Sequence, residues 1–237
     1  MISELTWDSR LFNRKIGELK IVSESSLQIE AAIRKAKTDG FKYIICRIQS
    51  PQTMLINKLS SLGFYISDIG VIWTGKIDKL LYGISKNSIE GKFIKEATNK
   101  DLPTLIAMVK SLFIDSRFYS DPFFSKLEAD NLYQTWIKNS VKNRIADVVF
   151  FIPNKGLVTC KKSTSNIGEI VLIGVKNEYR GKGIGTNLMQ EALKWFKKQN
   201  VNLMSVRTQL KNVDAMNFYA KSGFYIQSYD ILFAQIL

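Results

Sequence analysis

The sequence predicts an α/β (α+β) protein in which helices flank a mixed central sheet. Three observations indicate this class. Runs with the two-residue period of strands alternate along the chain with runs of the helical period. A β-branched run at 170–175 leads through a glycine-rich loop into an amphipathic helix, with Ile184, Leu188, Ala192 and Phe196 on one apolar face. A helix-like segment that ends in Gly-Phe and leads into a strand occurs twice.

Residues 1–90 alternate between strand-like and helix-like segments behind an aromatic opening. Gly40 and Gly63 each end a predicted helix, because glycine readily takes the left-handed conformation found at helix ends. We expect residues 76–92 to be a linker, since glycine, serine and asparagine accumulate there. In chain order, the predicted elements are the opening at 5–12, a strand at 16–22, a helix at 26–39, a strand at 43–46, a helix at 54–62 and a strand at 65–73.

Residues 91–237 contain a second series of elements. Thr98 and Asp101 have the spacing of a capping box before an apolar helix. Asn212 is a predicted N-cap, and Asp214 in the following turn suits the helix dipole. The predicted elements are a strand at 93–98, a helix at 102–112, an aromatic loop at 114–124, a helix at 125–142, strands at 148–152, 157–161 and 170–175, the helix after the glycine loop, a strand at 203–208, a helix at 213–221 and a strand at 225–236.

The two Gly-Phe junctions suggest an internal duplication. Residues 58–67 and 219–228 both place Gly-Phe-Tyr-Ile where a helix meets a strand. The alternative is two independent units, because a glycine between a helix and a strand is common. On the duplication hypothesis the chain divides into 1–90, a truncated domain with its linker, and 91–237, a complete domain.

Composition limits the classes of function. Hydrophobic residues make up 46% and charged residues 23%, as in globular proteins that dissolve in water, and no apolar run is long enough to span a membrane. We see no secretory signal, and Cys46 and Cys160 lie in apolar runs, so two buried thiols in the cytoplasm are expected. The chain has no histidine, which excludes imidazole catalysis, and with two cysteines we expect no metal site.

The net charge of +13 is compatible with nucleic acid, an anionic membrane surface or small polyanions. Basic residues are spread along the chain, whereas the glycine-rich loop is specific. Glycines at positions 181, 183 and 185 alternate with Arg180, Lys182 and Ile184 before the helix. Free N–H groups at a helix N-terminus bind anions, so we expect a phosphate ligand here. The alternative is an ordinary glycine-rich turn, and the spacing matches neither the dinucleotide fingerprint nor a P-loop.

The run Arg-Gly-Lys-Gly-Ile-Gly resembles the R/Q-x-x-G-x-G/A loop of the GNAT acetyltransferase superfamily. The order of predicted elements after residue 91 also resembles the GNAT fold, and residues 1–75 resemble a truncated GNAT domain. The resemblance implies that the loop binds the pyrophosphate of acetyl-CoA and that the strand before it splays to pair with the pantetheine. The implied cofactor residues are Leu172, Ile173, Gly174, Val175, Arg180, Gly181, Lys182, Gly183, Ile184, Gly185, Thr186 and Asn212.

The segment with Asn212, Ala215, Phe218 and Tyr219 resembles the last motif of the superfamily. Asn212 and Tyr219 are seven residues apart and therefore share a helix face. The resemblance implies that Asn212 contacts CoA and that Tyr219 is the general acid for the departing sulfur. Alternatively, Tyr219 is only a packing aromatic. Glu169 is either a base that acts through water or a solvated strand end, and the base stays open.

A narrower resemblance concerns the amine. Trp7-Asp8-Ser9 with Phe12, the run at 116–119, and a later Tyr-x-x-Trp-Ile resemble the dTDP-fucosamine acetyltransferase family. This implies N-acetylation of a dTDP-linked amino-dideoxy sugar for surface polysaccharide, and homodimers are common in the superfamily. The implied acceptor residues are Trp7, Asp8, Ser9, Arg117 and Tyr119. Trp7 and Phe12 could instead be core residues. The alternatives are another amine as acceptor and a basic nucleic-acid-binding protein without CoA affinity. The anion loop together with Asn212 and Tyr219 argues against the second, so the expected partner is a nucleotide sugar and not nucleic acid.

Overall fold

The computed structural model describes residues 1–21, 26–85 and 93–237. Within these ranges, ten strands form one mixed sheet in the order β1-β2-β3-β10-β4-β9-β8-β7-β6-β5. The strands are β1 Ile2–Glu4, β2 Ile16–Leu19, β3 Tyr43–Gln49, β4 Tyr65–Lys76, β5 Lys95–Glu96, β6 Val148–Ile152, β7 Gly156–Lys162, β8 Ile167–Val175, β9 Leu203–Gln209 and β10 Tyr225–Ile236. The helices are α1 Thr6–Phe12, α2 Ser26–Thr38, α3 Thr53–Ser61, α4 Ile77–Ser85, α5 Leu102–Leu112, α6 Arg117–Ser120, α7 Lys126–Val141, α8 Ile184–Lys198 and α9 Val213–Lys221.

Helices cover both faces of the sheet, so the predicted mixed α/β architecture is confirmed. Along β3, the side chains of Tyr43 and Ile45 belong to a core under α1, α5, α6 and α7. Those of Ile44 and Cys46 point the other way, into a core with α2 and α3. A third core, with α4, α8 and α9, lies on that same second face. None of the described helices has the length and apolar character needed to cross a membrane.

Four local details differ from the sequence prediction. The opening at 5–12 is helix α1, preceded by β1, and the expected loop at 114–124 contains the short helix α6. The strand expected at 93–98 shortens to β5, because the chain turns at once into the capping box of Thr98 and Asp101. The predicted strand at 16–22 ends at Leu19, and residue 22 lies outside the described residues.

The segment expected to be a linker begins as helix α4. Ile77 and Leu80 are buried against α8, and the apolar spacing Ile77, Leu80, Leu81 is helical. The expectation of a linker over 77–85 was therefore wrong. Residues 86–92, which include Asn87, Ser88 and Gly91, are outside the described residues.

The two parts of the chain exchange strands. Strand β10, from the C-terminal part, lies between β3 and β4, and β4 lies between β10 and β9. The strands β2-β3-β10 are followed by β4-β9-β8, in which β8, β9 and β4 correspond to β2, β3 and β10 in reverse order. The corresponding pairs β2/β3 and β8/β9 are both parallel. Gly63 and Gly223, which end the helices before β4 and β10, have φ values of +87° and +90°. This symmetry supports the duplication, which remains a proposal together with the division at residue 90.

Candidate functional site

The predicted anion loop has the backbone of a phosphate cradle. Gly181 and Gly183 have positive φ angles of 72° and 75°, a conformation that side chains rarely adopt. The first bond of α8 runs from the Asn187 N–H to the Gly183 carbonyl, at 3.0 Å. The N–H groups of the next three residues, Ile184 to Thr186, therefore have no acceptor within the helix. Gly183 occupies the N-cap and has no side chain to cover them.

Arg180 and Lys182 place positive charge around this loop. Arg180 Nε donates to the carbonyl oxygen of Val175 at 3.3 Å, and its Nη1 donates to Asp214 at 3.3 Å. Lys182 Nζ donates to the carbonyl oxygen of Glu178 at 2.9 Å. Arg180 thus connects the end of β8 with the first turn of α9. The ion pair between Arg180 and Asp214 is exposed and contributes little stability. The positive charges of Arg180 and Lys182 therefore remain available to a ligand.

Strands β8 and β9 separate just before the loop. They pair from Ile167 and Leu203 as far as Ile170 and Val206. Beyond that point β9 stays with β4 and β8 stays with β7. From residue 171 to Val175, one edge of β8 is consequently free of the neighbouring strand, as the resemblance implied.

Backbone alternation shows which groups of β8 face this open edge. The Leu172 N–H donates to Thr159 Oγ1 at 2.9 Å, and the Lys176 N–H donates to the Lys155 carbonyl at 2.8 Å, both on the β7 side. Since successive residues alternate, Ile173 and Val175 direct their N–H and C=O groups to the open edge. Within the predicted set of Leu172, Ile173, Gly174 and Val175, two residues thus face the edge.

Gly174 has a packing role. A Cβ at Gly174 would lie 3.1 Å from Leu112 Cβ and 3.2 Å from the Phe113 ring, so glycine allows the end of α5 to approach β8. The bulge in the β7/β8 pair lies elsewhere, opposite Thr159 and Cys160. Close approach of α5 to β8 therefore explains the glycine at this position.

Tyr219 lies in the core beneath α9. Its side chain is 3% exposed, and its ring centroid lies 6.1 Å from that of Trp73 and 5.7 Å from that of Phe224. Burial raises the pKa of the Tyr219 hydroxyl above its ordinary value, so the hydroxyl keeps its proton at neutral pH. Asn212 caps α9 by accepting from the Ala215 N–H at 3.1 Å, and its side-chain NH₂ can still donate. Burial fits a packing aromatic as well as a proton donor, so the acid role stays a prediction.

Glu169 lies in the paired part of β8, opposite Ser205. Its carboxylate accepts from Ser163 Oγ at 3.0 Å in an exposed setting. This position precedes the open edge, which supports the interpretation as a solvated strand end.

The N-terminal candidates divide into exposed and structural residues. Trp7 is 43% exposed, whereas Phe12 is buried in the core. Ser9 Oγ exchanges hydrogen bonds with the backbone N–H and C=O of Ile16, at 3.0 and 3.3 Å, and so attaches α1 to β2. Burial raises the pKa of Asp8, and the nearby Arg117 guanidinium partly offsets that rise. Asp8 therefore lies within electrostatic range of Arg117, and Ser9 has a structural contact.

Arg117 and Tyr119, on α6, differ in what they leave available. The Arg117 guanidinium lies 4.1 Å from the Phe118 ring centroid. Its Nη1 is buried and has no hydrogen-bond partner in the described part of the chain. Tyr119 donates its hydroxyl hydrogen to Asp130 at 2.6 Å. Arg117 therefore has a donor to offer a ligand, and Tyr119 is already partnered.

Asp121 is a buried carboxyl group that the sequence did not single out. It accepts from the Tyr43 hydroxyl at 2.5 Å, from the Tyr65 hydroxyl at 2.8 Å, from Ser67 Oγ and from the Phe123 N–H. These contacts join the loop after α6 to β3 and β4.

A second polar group spans four neighbouring strands. Arg47 on β3, Asp230 on β10, Asp68 on β4 and Arg207 on β9 are linked by ion pairs. Arg47 and Asp230 are the single charged residues of strands that are otherwise mainly apolar, Asp68 lies in the mainly apolar β4, and Arg207 is the single charged residue of β9. That is the signal by which the sequence could have indicated them, since unpaired charge is seldom buried.

Residues 108–224 match the model of the acetyltransferase (GNAT) family. They form a GNAT acetyltransferase domain. The predicted family is confirmed, and the chain is therefore an acetyltransferase. Members of this family generally use acetyl-CoA, and the free N–H groups of α8 and the open edge of β8 suit its pyrophosphate and pantetheine.

Two relatives extend this comparison. The dTDP-fucosamine acetyltransferase of Escherichia coli O6:H1 is 25% identical over 232 residues, which cover 96% of this chain and 94% of the relative. The spore coat polysaccharide biosynthesis protein SpsD of Bacillus subtilis is 27% identical over 126 residues, covering 52% of this chain and 44% of the relative.

The architecture recurs in a solved structure. A conserved protein of unknown function from Staphylococcus epidermidis superimposes with a TM-score of 0.69 at 15% identity, covering 94% of this chain and 84% of that one. This likeness shows the fold alone.

Proposed function

We propose that the chain transfers the acetyl group of acetyl-CoA to the amine of a dTDP-linked amino-dideoxy sugar, a precursor of surface polysaccharide. The observation that carries the proposal is the similarity to dTDP-fucosamine acetyltransferase, which extends over 96% of the chain. It therefore includes most of residues 1–90, beyond the match to the GNAT family model. Similarity to a polysaccharide biosynthesis protein of another organism supports the same class of acceptor.

The donor site follows from the loop and the open strand edge. Acetyl-CoA supplies an acetyl thioester. The N–H groups of Ile184, Gly185 and Thr186 would hold its pyrophosphate, with Arg180 and Lys182 adding charge. Ile173 and Val175 offer backbone groups to the pantetheine amides, because they face the open edge.

The chain's own groups can serve both ends of the transfer. The Ile173 N–H faces the open edge and can donate to the thioester oxygen as negative charge develops there. The C–N bond forms as the C–S bond breaks, and the proton held by the Tyr219 hydroxyl goes to the departing sulfur. The amine releases its proton to water, the Tyr219 oxygen takes a proton back from water, and no side chain is assigned to either exchange.

The acceptor side has one group suited to the phosphates of a nucleotide and one suited to its base. The buried Arg117 donor suits a phosphate oxygen. Trp7, with 43% of its surface exposed, can stack on a thymine.

The test is thiol release from acetyl-CoA with dTDP-4-amino-4,6-dideoxygalactose, compared with a peptide N-terminal amine and a small metabolite amine. We expect the highest kcat/KM with the sugar nucleotide. A higher value with either other amine would contradict the proposed acceptor. Salt-sensitive nucleic-acid binding without any thiol release would favour the nucleic-acid alternative.

Substitution of Gly181 by alanine tests the donor loop. Left-handed backbone costs an alanine about 1–2 kcal/mol, so the loop will relax and withdraw N–H groups from the pyrophosphate. We expect the KM for acetyl-CoA to rise about tenfold and the acceptor KM to stay unchanged, as measured by steady-state kinetics.

Gly40 provides a matched control. It has a φ of +81°, and a Cβ added at either Gly40 or Gly181 would meet no heavy atom of the described residues within 4 Å. Gly40→Ala should therefore impose the same backbone strain without changing the KM for acetyl-CoA. Equal kinetic effects of the two variants would exclude a specific role for the loop.

A further inference from the structure

The ion-pair network on β3, β10, β4 and β9 lies on the sheet face that carries α5, α6 and α7. Leu232 on β10 pairs with Arg47 on one side and with Asp68 on the other. Leu232 belongs to the core of that face, and directly paired residues point the same way. Two residues away, Asp230 pairs with Gly70 and therefore shares the face.

Two members of this network are fully engaged. Asp230 is 2% exposed and accepts from Arg207 Nε at 3.0 Å, from Arg207 Nη2 at 2.8 Å and from Arg47 Nη1. Arg207 Nη1 and Nη2 also contact Asp68 Oδ2, at 3.5 and 3.4 Å. Every nitrogen of the Arg207 guanidinium thus has a carboxylate partner.

The other two members have hydrogen-bonding capacity left. Both contacts of Arg207 with Asp68 end on Oδ2, so Asp68 Oδ1 takes part in neither. Arg47 reaches Asp230 through Nη1, and its side chain is 37% exposed. Arg47 therefore offers N–H donors to solvent, and across β10 the Asp68 side chain, which is 3% exposed, keeps one carboxylate oxygen outside its contacts with Arg207.

Glycine at position 70 makes this arrangement possible. A Cβ there would lie 1.9 Å from Arg207 Nη2, so Arg207 crosses directly over Gly70 to reach Asp230. A side chain at this point would displace the guanidinium that holds both carboxylates.

The position of the network relates it to acetyl transfer. Arg207 directly follows Val206, the last β9 residue paired with β8, so the network begins where the two strands separate. Partly buried ion pairs are expensive, and apolar residues would stabilise such a sheet at least as well. A role in binding a ligand would explain why the four charged residues occur on this sheet.

We propose that this network is the sugar subsite of the acceptor site, in which Arg47 donates to, and Asp68 accepts from, hydroxyl groups of the sugar ring. The inference rests on the proposed function and deepens it. Two guanidinium groups balance two carboxylates, and a neutral polyol, which both donates and accepts, fits such a site better than a phosphate does. The diphosphate is left to Arg117.

The experiment uses Arg47→Met, which keeps the stem of the side chain and leaves Asp230 paired with Arg207. With the dTDP-linked 4-amino sugar, we expect the acceptor KM to rise about tenfold to a hundredfold, the range for a hydrogen bond to a charged group. The KM for acetyl-CoA and the thermal unfolding midpoint should stay unchanged. Arg34→Met, which removes the same charge from an exposed position on α2, should leave all three unchanged.

An acceptor that lacks one ring hydroxyl completes the test. The wild type should bind at least one such deoxy analogue more weakly than the full sugar nucleotide. Arg47→Met or Asp68→Asn should bind the two acceptors equally well, because the variant already lacks the side chain that contacts the missing hydroxyl. Turnover of the sugar with an unchanged acceptor KM in both variants would overturn the subsite and leave the proposed function standing. So would equal increases in both KM values. Absence of turnover by the wild type would overturn both proposals.

Discussion

Replacing Tyr219 with phenylalanine is expected to lower kcat about a hundredfold to ten-thousandfold, the range for loss of a general acid. Burial raises the pKa of the Tyr219 hydroxyl, so in the folded protein this group carries its proton at the pH of the assay and can pass it to the departing sulfur. The KM for acetyl-CoA should not change, because the loop and the edge of β8 bind the donor. Stopped-flow measurement of thiol release separates the chemical step from binding.

Phenylalanine keeps the ring that packs against Trp73 and Phe224, so the variant should fold normally. Tyr225→Phe is the matched control, because it removes the same hydroxyl from a residue on β10 that is 56% exposed. Its kcat should equal that of the wild type. Full activity in Tyr219→Phe would leave Tyr219 as a packing aromatic and reassign the proton to water.

The direction of the Tyr219 pKa shift also fixes a pH dependence. In the folded protein this pKa lies above the value of about 10 found in unfolded chains. At pH 8 to 9.5, kcat should therefore not fall through ionisation of Tyr219. The stability that the shift contributes is fully present below about pH 10 and is lost above it, as the unfolded tyrosine ionises first. Melting curves of the wild type and Tyr219→Phe between pH 8 and 11 measure the difference.

The fold was predictable where its signals were local. Apolar period, glycine at helix ends and capping residues placed α5, α7, β6 and β9 within a residue or two, because each signal acts within one turn or strand. The insertion of β10 between β3 and β4 was not predictable, since pairing residues 43–49 with 230–236 is a non-local choice. Helix α4 was missed because the polar residues after it concealed the spacing of Ile77 and Leu80.

The candidate site shows the same division. The anion loop and the Asn212–Tyr219 segment are contiguous motifs, and their backbone geometry follows from the residues themselves. Asp121 and the network around Asp230 draw their members from strands far apart in the sequence. Asp121, in the loop after α6, has no local signal in the sequence. The members of the network are single charges within strands, and such a pattern does not show which charges will meet.

Substitution of Asp121 by alanine should lower the free energy of unfolding by about 3–5 kcal/mol, because several hydroxyl donors would lose their acceptor at once. Tyr43 is fully buried, so its hydroxyl would have no water to replace the lost acceptor. Denaturant titration followed by circular dichroism gives the change. Asp130→Ala is the control: Asp130 accepts from the half-buried Tyr119 hydroxyl, and we expect a loss of about 1 kcal/mol. Similar losses in the two variants would contradict the importance of the Asp121 contacts.

The shape of the denaturant unfolding curve of Asp121→Ala tests how the two parts of the chain, before and after residue 90, are coupled. Asp121 belongs to the part after residue 91, whereas Tyr43, Tyr65 and Ser67 belong to the part before it. Because β4 and β10 are exchanged between the parts, neither can lose its structure without exposing an edge of the other. Asp121→Ala should therefore shift one cooperative transition to lower denaturant with an unchanged m-value. Two separate transitions would show instead that the parts unfold independently and that the continuous sheet does not couple them.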